Sequence, residues 1–217
     1  MYENYDLSYR AGRMLNSIFD TKRLLYVCVY RLRHPKILNL LRRAFWRVLG
    51  MKIGKSTAIG SINVSWPHAV SIGANCTINH GVAFKVDGPY SDRQRITLGK
   101  NVFIGENCEF NIQDRLIISD GCLIAAGCRF IDNNHGTAAG SHVRHQANEQ
   151  APIVIENDCW LGANVIVLKG VHLGRGVIVG AGAVITHDLP DYAVAAGVPA
   201  RLIRFRASSL ECEKSTH

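Results

Sequence analysis

An aliphatic or aromatic residue recurs at every sixth position over long stretches of the chain, and we call these positions anchors. The longest run consists of Ile155, Leu161, Val167, Leu173, Val179 and Ile185; shorter runs precede it at Ile72, Ile78 and Phe84, at Leu98, Ile104 and Phe110, and at Ile118, Ile124 and Phe130. An α-helix repeats about every 3.6 residues and a strand about every two residues. Neither element alone has the observed period, so the repeating unit must be larger.

Two further columns keep step with the anchors. Three residues before an anchor that continues a run stands Asn, Asp or Gly, with Ser56 as the exception: Asn75, Gly81, Asn101, Asn107, Gly121, Gly127, Asp158, Asn164, Gly170, Gly176 and Gly182. Because these residue types tolerate positive φ, the chain is expected to turn a corner once per repeat. Two residues before the same anchors stand small apolar residues: Cys76, Val82, Val102, Cys108, Cys122, Cys128, Cys159, Val165, Val171, Val177 and Ala183. Short strands joined by sharp corners must stack coil upon coil, which predicts a mainly β, parallel β-helix solenoid.

The small apolar column also accounts for most of the cysteines. The chain has seven cysteines, no CxxC pair and no recognisable signal sequence, and five of the cysteines lie in that column. We therefore expect them to be small buried hydrophobes rather than disulfide partners or metal ligands, in a protein of the reducing cytosol.

The segment before the repeats is basic. The net charge is +8, and residues 21–50 contain eight Lys and Arg residues and no Asp or Glu. We predict a basic amphipathic helical segment over residues 1–52, with helices at 21–34 and 36–49 on either side of Pro35. Its apolar side is expected to pack on the first coils or a neighbouring subunit, or to contact an anionic membrane surface; no membrane span and no nucleic-acid partner are expected.

The solenoid is predicted over residues 53–190, followed by an exit segment and polar tail at 191–217. Its rhythm is interrupted by polar loops at 85–97 and 131–154, and two extra residues are inserted between Asn111 and Ile117. A long loop leaving a regular solenoid is a candidate functional element.

The run WLGANVIVLKGVHLGRGVIVGAGAVITHDLPDYAVAAGVPARLIR, which begins at Trp160, resembles the C-terminal signature of the hexapeptide-repeat acyltransferases. The likeness extends over about residues 53–206 and is strongest after Pro152, in the sugar O-acetyltransferase branch. The resemblance implies a left-handed parallel β-helix, which departs from the usual right-handed crossover, and a homotrimer with active sites between subunits. It also implies acetyl-CoA as co-substrate and no metal.

The long loop contains the candidate catalytic base. His135 follows the last regular repeat before the loop, at the place where members of this family carry their catalytic histidine, and histidine is a common base near neutral pH. By the same resemblance, Asn111 and Asp132 are assigned to acceptor binding. Which polar neighbour orients His135 stays open at this point; Asp132 and Glu149 are among the candidates.

Coenzyme A is long and anionic at its nucleotide end, so it suits a groove along stacked coils with cations near its exit. By resemblance, the cofactor-binding positions are Trp160, Ala163, Ala181, Thr186, His187, Arg201 and Arg204. The family commonly has lysine at the position of His187, so a phosphate contact there is expected to be weaker or dependent on pH.

These features together predict an acetyl-CoA-dependent O-acetyltransferase acting directly on a sugar hydroxyl. The expected acceptor is a surface polysaccharide or its lipid-linked precursor, in the cytoplasm or at the inner face of the cytoplasmic membrane. One alternative is N-acetylation of a nucleotide-linked amino sugar, or acetylation of a small free sugar or antibiotic. More remote alternatives are a γ-carbonic-anhydrase-like zinc enzyme and a non-catalytic scaffold.

Overall fold

The computed structural model describes residues 36–88 and 90–207. The chain divides into two compact units, residues 1–41 and residues 42–217. In the first unit, the described residues belong to the start of a helix, α1 (Lys36–Val48). The other elements belong to the second unit, as do the sites described below. The predicted helix over residues 21–34 lies outside the described residues.

The second unit is a parallel β-helix whose strands form three faces. The first face contains β1 (Lys52–Ile53), β4 (Val70–Ile72), β7 (Ile96–Leu98), β10 (Leu116–Ile118), β15 (Ile153–Ile155) and β18 (His172–Leu173). The second face contains β2 (Ala58–Ile59), β5 (Thr77–Ile78), β8 (Phe103–Ile104), β11 (Leu123–Ile124), β16 (Trp160–Leu161), β19 (Ile178–Val179), β21 (Ala193–Ala196) and β22 (Arg201–Phe205). The third face contains β3 (Asn63–Val64), β6 (Ala83–Val86), β9 (Glu109–Ile112), β12 (Arg129–Ile131), β17 (Ile166–Leu168) and β20 (Val184–Ile185). Separate from these faces, β13 (Asn133–Asn134) and β14 (Glu149–Gln150) form an antiparallel hairpin.

The interior follows the two predicted apolar columns. Every residue of the small column is at most 1% exposed, and the five cysteines in it are free and buried. On the third face, Phe84, Phe110 and Phe130 stack through three successive coils, with 4.8 Å between neighbouring ring centroids. These side chains fill the narrow space that no single strand could cover, which confirms the prediction that the coils share one core.

The predicted corners are also confirmed. All twelve positions, Ser56 included, have φ between 56° and 75°. Asn101 and Asn107 illustrate the geometry: each adopts the left-handed conformation, and each backbone N–H donates to a carbonyl of the preceding coil. The positions that restart a run, such as Arg95 and Arg115, do not have positive φ. The residue types that tolerate positive φ therefore stand at the positions where the chain turns from one strand to the next.

Within the second unit, residues 42–48 of α1 contact the first coil through basic side chains and through Trp46, which packs against the core. Arg42 donates to the carbonyl of Ile59 at 3.4 Å, and Arg47 donates to that of Ile53 at 2.6 Å. Phe45 and Val48, on the apolar side, are 57% and 87% exposed. This orientation is the reverse of the predicted apolar packing on the first coils, because the first strands have no earlier coil to satisfy their carbonyl groups. The arginines supply donors to that open edge.

The last coil continues past residue 190. Strand β21 pairs in parallel with β19, and β22 then runs back antiparallel beside β21, so that β22 forms an edge of the second face. Arg206 fixes the exit by donating to the carboxylate of Asp158 at 2.8 Å. Stacked coils thus extend to Ala196, and the exit segment is described as far as residue 207. The predicted polar tail beyond that point lies outside the described residues.

Candidate active site

The three interruptions of the repeat meet at one corner of the solenoid. The connections from β6 to β7, from β9 to β10 and from β12 to β15 each run from the third face to the first, and these strands stack directly on one another. Between the three loops lies an open pocket of about 810 Å³ with a polar and charged lining. Each interruption could be located from the sequence, but their meeting in a shared pocket was not predicted.

His135 lies at this corner, directly after strand β13. In the hairpin, Asn133 pairs with Gln150 and Asn134 pairs with Glu149, so His135 follows the paired residues as the chain enters the outer part of the loop. The imidazole is exposed and makes no hydrogen bond or ion pair with any other described residue. The ring is therefore accessible to a substrate hydroxyl, and Asp132 and Glu149 do not orient it in this chain conformation.

Asp132 is fully buried next to the same hairpin. Its carboxylate accepts backbone N–H groups from Gln113 at 2.7 Å, from Asp114 at 2.8 Å and from Arg115 at 3.0 Å, and the side-chain amide of Asn133 at 3.2 Å. Burial raises the pKa of this carboxyl, and the four N–H donors act in the opposite direction.

The carboxylate of Asp132 is thus occupied by the loop at 111–117 and is shielded from solvent. Asp132 is predicted from the sequence to bind the acceptor, but the structure gives it a different task. By fixing the backbone of Asp114 and Arg115, it joins the inserted residues to the start of the long loop. It acts on the pocket by holding its wall.

Asn111 lies at the end of the third face, one coil below the strand that leads to His135. It is paired in register with Ile131, and its backbone carbonyl accepts the N–H of Asp132 at 3.4 Å. The side-chain oxygen of Asn111 is buried and has no hydrogen-bond partner in the described structure. Asn111 does not line the pocket, and its predicted contact to an acceptor stays a prediction.

Five of the predicted cofactor-binding residues lie on the second face or at the corner that follows it, whereas Thr186 and His187 follow the last strand of the third face. Trp160, Ile178, Val194 and Arg204 form one row across β16, β19, β21 and β22. At the next corner, the N–H of Gly182 donates to the carbonyl of Ala163 at 2.8 Å, which stacks the coil that contains Ala181 on the coil that contains Ala163. Ala163 and Ala181 have side chains no larger than a methyl group, and we refer to the surface of small side chains at this corner as the channel.

Cations lie beside this channel. Arg201 and Arg204 are exposed on β22, and their guanidinium groups donate only to the backbone carbonyls of Ala200 and Phe205. Neither has a carboxylate partner among the described residues. Thr186 and His187 follow the last regular anchor and contact each other at 2.8 Å, with the His187 imidazole exposed.

The outer surface of the second face carries an apolar row that was not predicted from the sequence. Phe103, Leu123 and Trp160 are neighbours on adjacent strands and are 37%, 51% and 51% exposed. Each immediately precedes an anchor, so its position on the outside of the coil was a readable signal. Large apolar side chains in a contiguous exposed row indicate a contact surface.

Metal-binding clusters and membrane-spanning helices are both absent from the described part of the chain. The described residues contain no cluster of three or more His, Cys, Asp and Glu side chains positioned to hold a metal ion. No helix within residues 36–88 and 90–207 has the length and apolar character needed to cross a bilayer.

The sequence matches a known repeat family in two segments of the solenoid. The profile described as the hexapeptide repeat of succinyl-transferase fits residues 95–129 and 152–187. A Staphylococcus aureus (strain COL) protein named as an acetyltransferase is 35% identical over 129 residues, which cover 59% of this chain and 63% of that protein. A Mycobacterium tuberculosis protein, also named as an acetyltransferase, is 27% identical over 183 residues, covering 84% of this chain and 56% of its own. The chain therefore spans less than two thirds of the length of these relatives.

Solved structures share the fold at lower identity. AntD, an N-acyltransferase from Bacillus cereus solved with dTDP and coenzyme A, has a TM-score of 0.65 at 20% identity, covering 78% of this chain and 92% of its own. A maltose O-acetyltransferase from Clostridium difficile 630 has a TM-score of 0.58 at 23% identity, covering 77% and 75%. This likeness confirms the predicted left-handed parallel β-helix.

Proposed function

Because the chain carries hexapeptide repeats on a left-handed β-helix, we propose that it is an acetyl-CoA-dependent O-acetyltransferase that acts on a sugar hydroxyl. The observation that carries the proposal is the position of His135. Its imidazole is accessible at a corner where three loops enclose a polar pocket, as a base that serves a hydrophilic acceptor requires. The acetyltransferase names of the relatives agree with this activity.

In the proposed reaction, His135 removes the proton from the acceptor hydroxyl. The hydroxyl oxygen bonds to the acetyl carbonyl carbon, the carbon–sulfur bond breaks, and the sulfur leaves with the bonding electron pair. His135 then returns its proton to that sulfur, so the products are the acetyl ester and the free thiol. Acetyl-CoA supplies the activated thioester, and no covalent acyl-enzyme is needed.

The channel of small residues supports the site for coenzyme A. Ala163 and Ala181 leave room for an extended pantetheine arm beside Trp160, and exposed backbone at the corner offers hydrogen bonds to its amides. Arg201 and Arg204 are free to bind the phosphates, with Thr186 and His187 close to the end of the regular coils. These roles follow from chemistry and from the coenzyme A present in AntD structures.

We propose that three copies of the chain associate through the apolar row of the second face. Burying Phe103, Leu123 and Trp160 against a neighbouring subunit would remove exposed apolar surface from water. Since Trp160 belongs both to this row and to the proposed cofactor site, the active site would lie between subunits.

We propose that the acceptor is a surface polysaccharide or its lipid-linked precursor, modified in the cytoplasm at the inner face of the membrane. Phe45 and Val48 are exposed at the end of the solenoid that also presents Lys52 and Lys55. Apolar and cationic groups side by side suit an anionic bilayer surface. Co-sedimentation with phosphatidylglycerol vesicles at low salt tests the membrane contact. If the protein does not bind the vesicles, the proposed location at the membrane is contradicted.

A second candidate is N-acetylation of a nucleotide-linked amino sugar. The supporting observation is the fold shared with AntD, which was solved with dTDP. Both reactions use the same base and cofactor, so the acceptor decides between them. Parallel assays with hydroxyl-bearing and amine-bearing sugars, read by mass spectrometry for one added acetyl group, distinguish the two.

Charge reversal at Arg201 tests the proposed function directly. Arg201→Glu should raise the KM for acetyl-CoA at least about tenfold, because a phosphate contact is replaced by like-charge repulsion, and should leave the KM for the acceptor unchanged. The matched control is Arg175→Glu, an exposed arginine whose partner, Asp191, lies outside the channel. Equal effects on both substrates, or no release of coenzyme A by the wild-type protein with any sugar acceptor, would contradict the assignment.

A further inference from the structure

The pocket at the interrupted corner contains cations that the proposed reaction does not use. Three arginines line it: Arg93 and Arg95 from the first loop and Arg115 from the second. Arg95 is structural, since its guanidinium donates to the carbonyls of Asp87, at 3.1 Å, and Gln113 and so ties the two loops together. Arg93 and Arg115 are exposed, and neither guanidinium makes a hydrogen bond or ion pair with another described residue.

Two of the pocket walls, the one that carries Arg115 and the long loop opposite it, are fixed in advance by hydrogen bonds. The backbone of Arg115 is held by the buried carboxylate of Asp132 at 3.0 Å. On the opposite loop, Gln146 bonds to Ala138 through both ends of its amide, and Asn148 reaches Gln113 at 3.4 Å. A pocket whose walls are already held by hydrogen bonds loses little conformational entropy when a ligand binds, which favours specific binding.

The lining excludes apolar ligands. Every residue in it except Gly88 has a polar or charged side chain, and five of these are Gln or Asn amides. Amides both donate and accept, as the hydroxyl groups of a sugar do. Asp87 and Asp114 add two carboxylates, which accept hydrogen bonds from hydroxyl groups. Together with the three arginines, they leave the lining with one excess positive charge. A lipid chain would find no apolar side chain to contact here.

The pocket is close to the catalytic position. Gln150 lines it and is paired with Asn133 in the hairpin. His135 comes two residues after Asn133, at most about 7 Å along an extended chain. A sugar held in the pocket can therefore present a hydroxyl toward His135.

We propose that this pocket selects an anionic saccharide and that Arg93 and Arg115 bind its negatively charged group. The group is a carboxylate, as in a uronic acid, or a phosphate, as in a nucleotide-linked sugar, since guanidinium groups pair with both. The inference rests on the proposed function and refines its acceptor. In this assignment, Arg93 and Arg115 bind the negatively charged group of the acceptor, and Arg201 and Arg204 bind the phosphates of coenzyme A.

The test compares Arg93→Gln, Arg115→Gln and the double variant with wild-type protein. The probes are a glucuronate-containing disaccharide, UDP-glucose and the neutral disaccharide maltose, each measured by isothermal titration in the presence of coenzyme A. The wild type should bind at least one anionic probe about tenfold or more tightly than maltose, and the double variant should lose that preference. The uronate and phosphate arms identify which group is recognised.

Arg144→Gln is the matched control, because Arg144 lies on the same long loop but does not line the pocket. It should retain the preference for the anionic probe. Circular dichroism melting should show all variants folded, since both target side chains are exposed.

The inference fails if the wild type shows no preference for an anionic probe, whether all probes bind equally or none binds, or if the double variant keeps the preference. Thermal stabilisation by coenzyme A separates this failure from failure of the proposed function. Stabilisation without an anionic preference overturns only the acceptor assignment, whereas absence of stabilisation counts against the acetyltransferase itself.

Discussion

The regular coils and the interrupted corner use opposite kinds of residue at equivalent positions of the repeat. In the coils, Cys128 and Phe130 are fully buried and each corner is a residue with positive φ. After Phe130, the chain leaves the coil with polar residues: Asp132 is buried, Asn133 is half-buried and His135 is exposed. A repeat that stacks in the coils must therefore have apolar residues at its inward positions. At the interrupted corner the chain leaves the stack, so polar residues can occupy positions that follow an anchor.

This difference predicts that stability and activity are separable by position. Substitutions in the coils should change the free energy of unfolding, and substitutions at the corner should change turnover. Asp132 is the instructive intermediate, because it is as buried as the core while its bonds hold the pocket wall.

The largest effect is expected at His135. His135→Ala should lower kcat about a hundred- to ten-thousand-fold, because the hydroxyl then lacks a base, without changing the melting temperature. Turnover is measured by coenzyme A release, and melting by circular dichroism. His142→Ala is the control: it removes another exposed imidazole of the same loop. Turnover of His135→Ala within a few-fold of wild type would mean that the base lies elsewhere.

The core should respond in the opposite way. Phe110→Ala removes the middle ring of the stack of three and should cost about 3–5 kcal/mol in the free energy of unfolding, because the neighbouring coils cannot close the gap. Urea denaturation measures the cost, and Phe110→Leu should recover part of it. Turnover per folded molecule should be unchanged; a cost below about 1 kcal/mol would show that the coils are more adaptable than their packing indicates.

Asp132→Ala should affect both quantities, which no other single position in the comparison is expected to do. Loss of the carboxylate leaves the partly buried N–H groups of Gln113, Asp114 and Arg115 without this acceptor, at about 1–3 kcal/mol. Because Arg115 is then less well placed, the KM for an anionic acceptor should rise while the KM for acetyl-CoA stays constant. Asp132→Asn should recover part of the stability, and unchanged acceptor KM in both variants would limit Asp132 to a folding role.

How much of this comparison could be predicted depends on the range of the interactions. The corners and the interior follow from local rules, since positive φ and inward direction are properties of single positions in a six-residue unit. Asn101 and Cys108 were therefore assigned correctly from spacing alone. The prediction that the apolar side of α1 packs on the first coils was wrong, because the apolar pattern of α1 says nothing about the carbonyl groups of Ile53 and Ile59, to which Arg47 and Arg42 donate.

The pocket is a different case, because its parts are distant in sequence. Arg93, Gln113 and Gln150 have no distinctive spacing, and the coils alone bring them together. A signal was nevertheless present: each interruption follows the third anchor of a run, at Phe84, Phe110 and Phe130. Three breaks at the same phase of a three-sided coil must lie on one corner, so their meeting could have been inferred once three faces were assumed.

The smallest effect concerns the corners and tests whether the residue type or only its backbone conformation matters. Asn101 is exposed with φ of 56°, so Asn101→Ala should destabilise the fold by about 1 kcal/mol through crowding of its Cβ in the left-handed region. Asn101→Gly keeps the conformation and should be close to wild type. Thermal melting of the two variants separates the explanations. Equal destabilisation would assign the cost to the lost amide, and the corner would then depend on side-chain bonding as the interrupted region does.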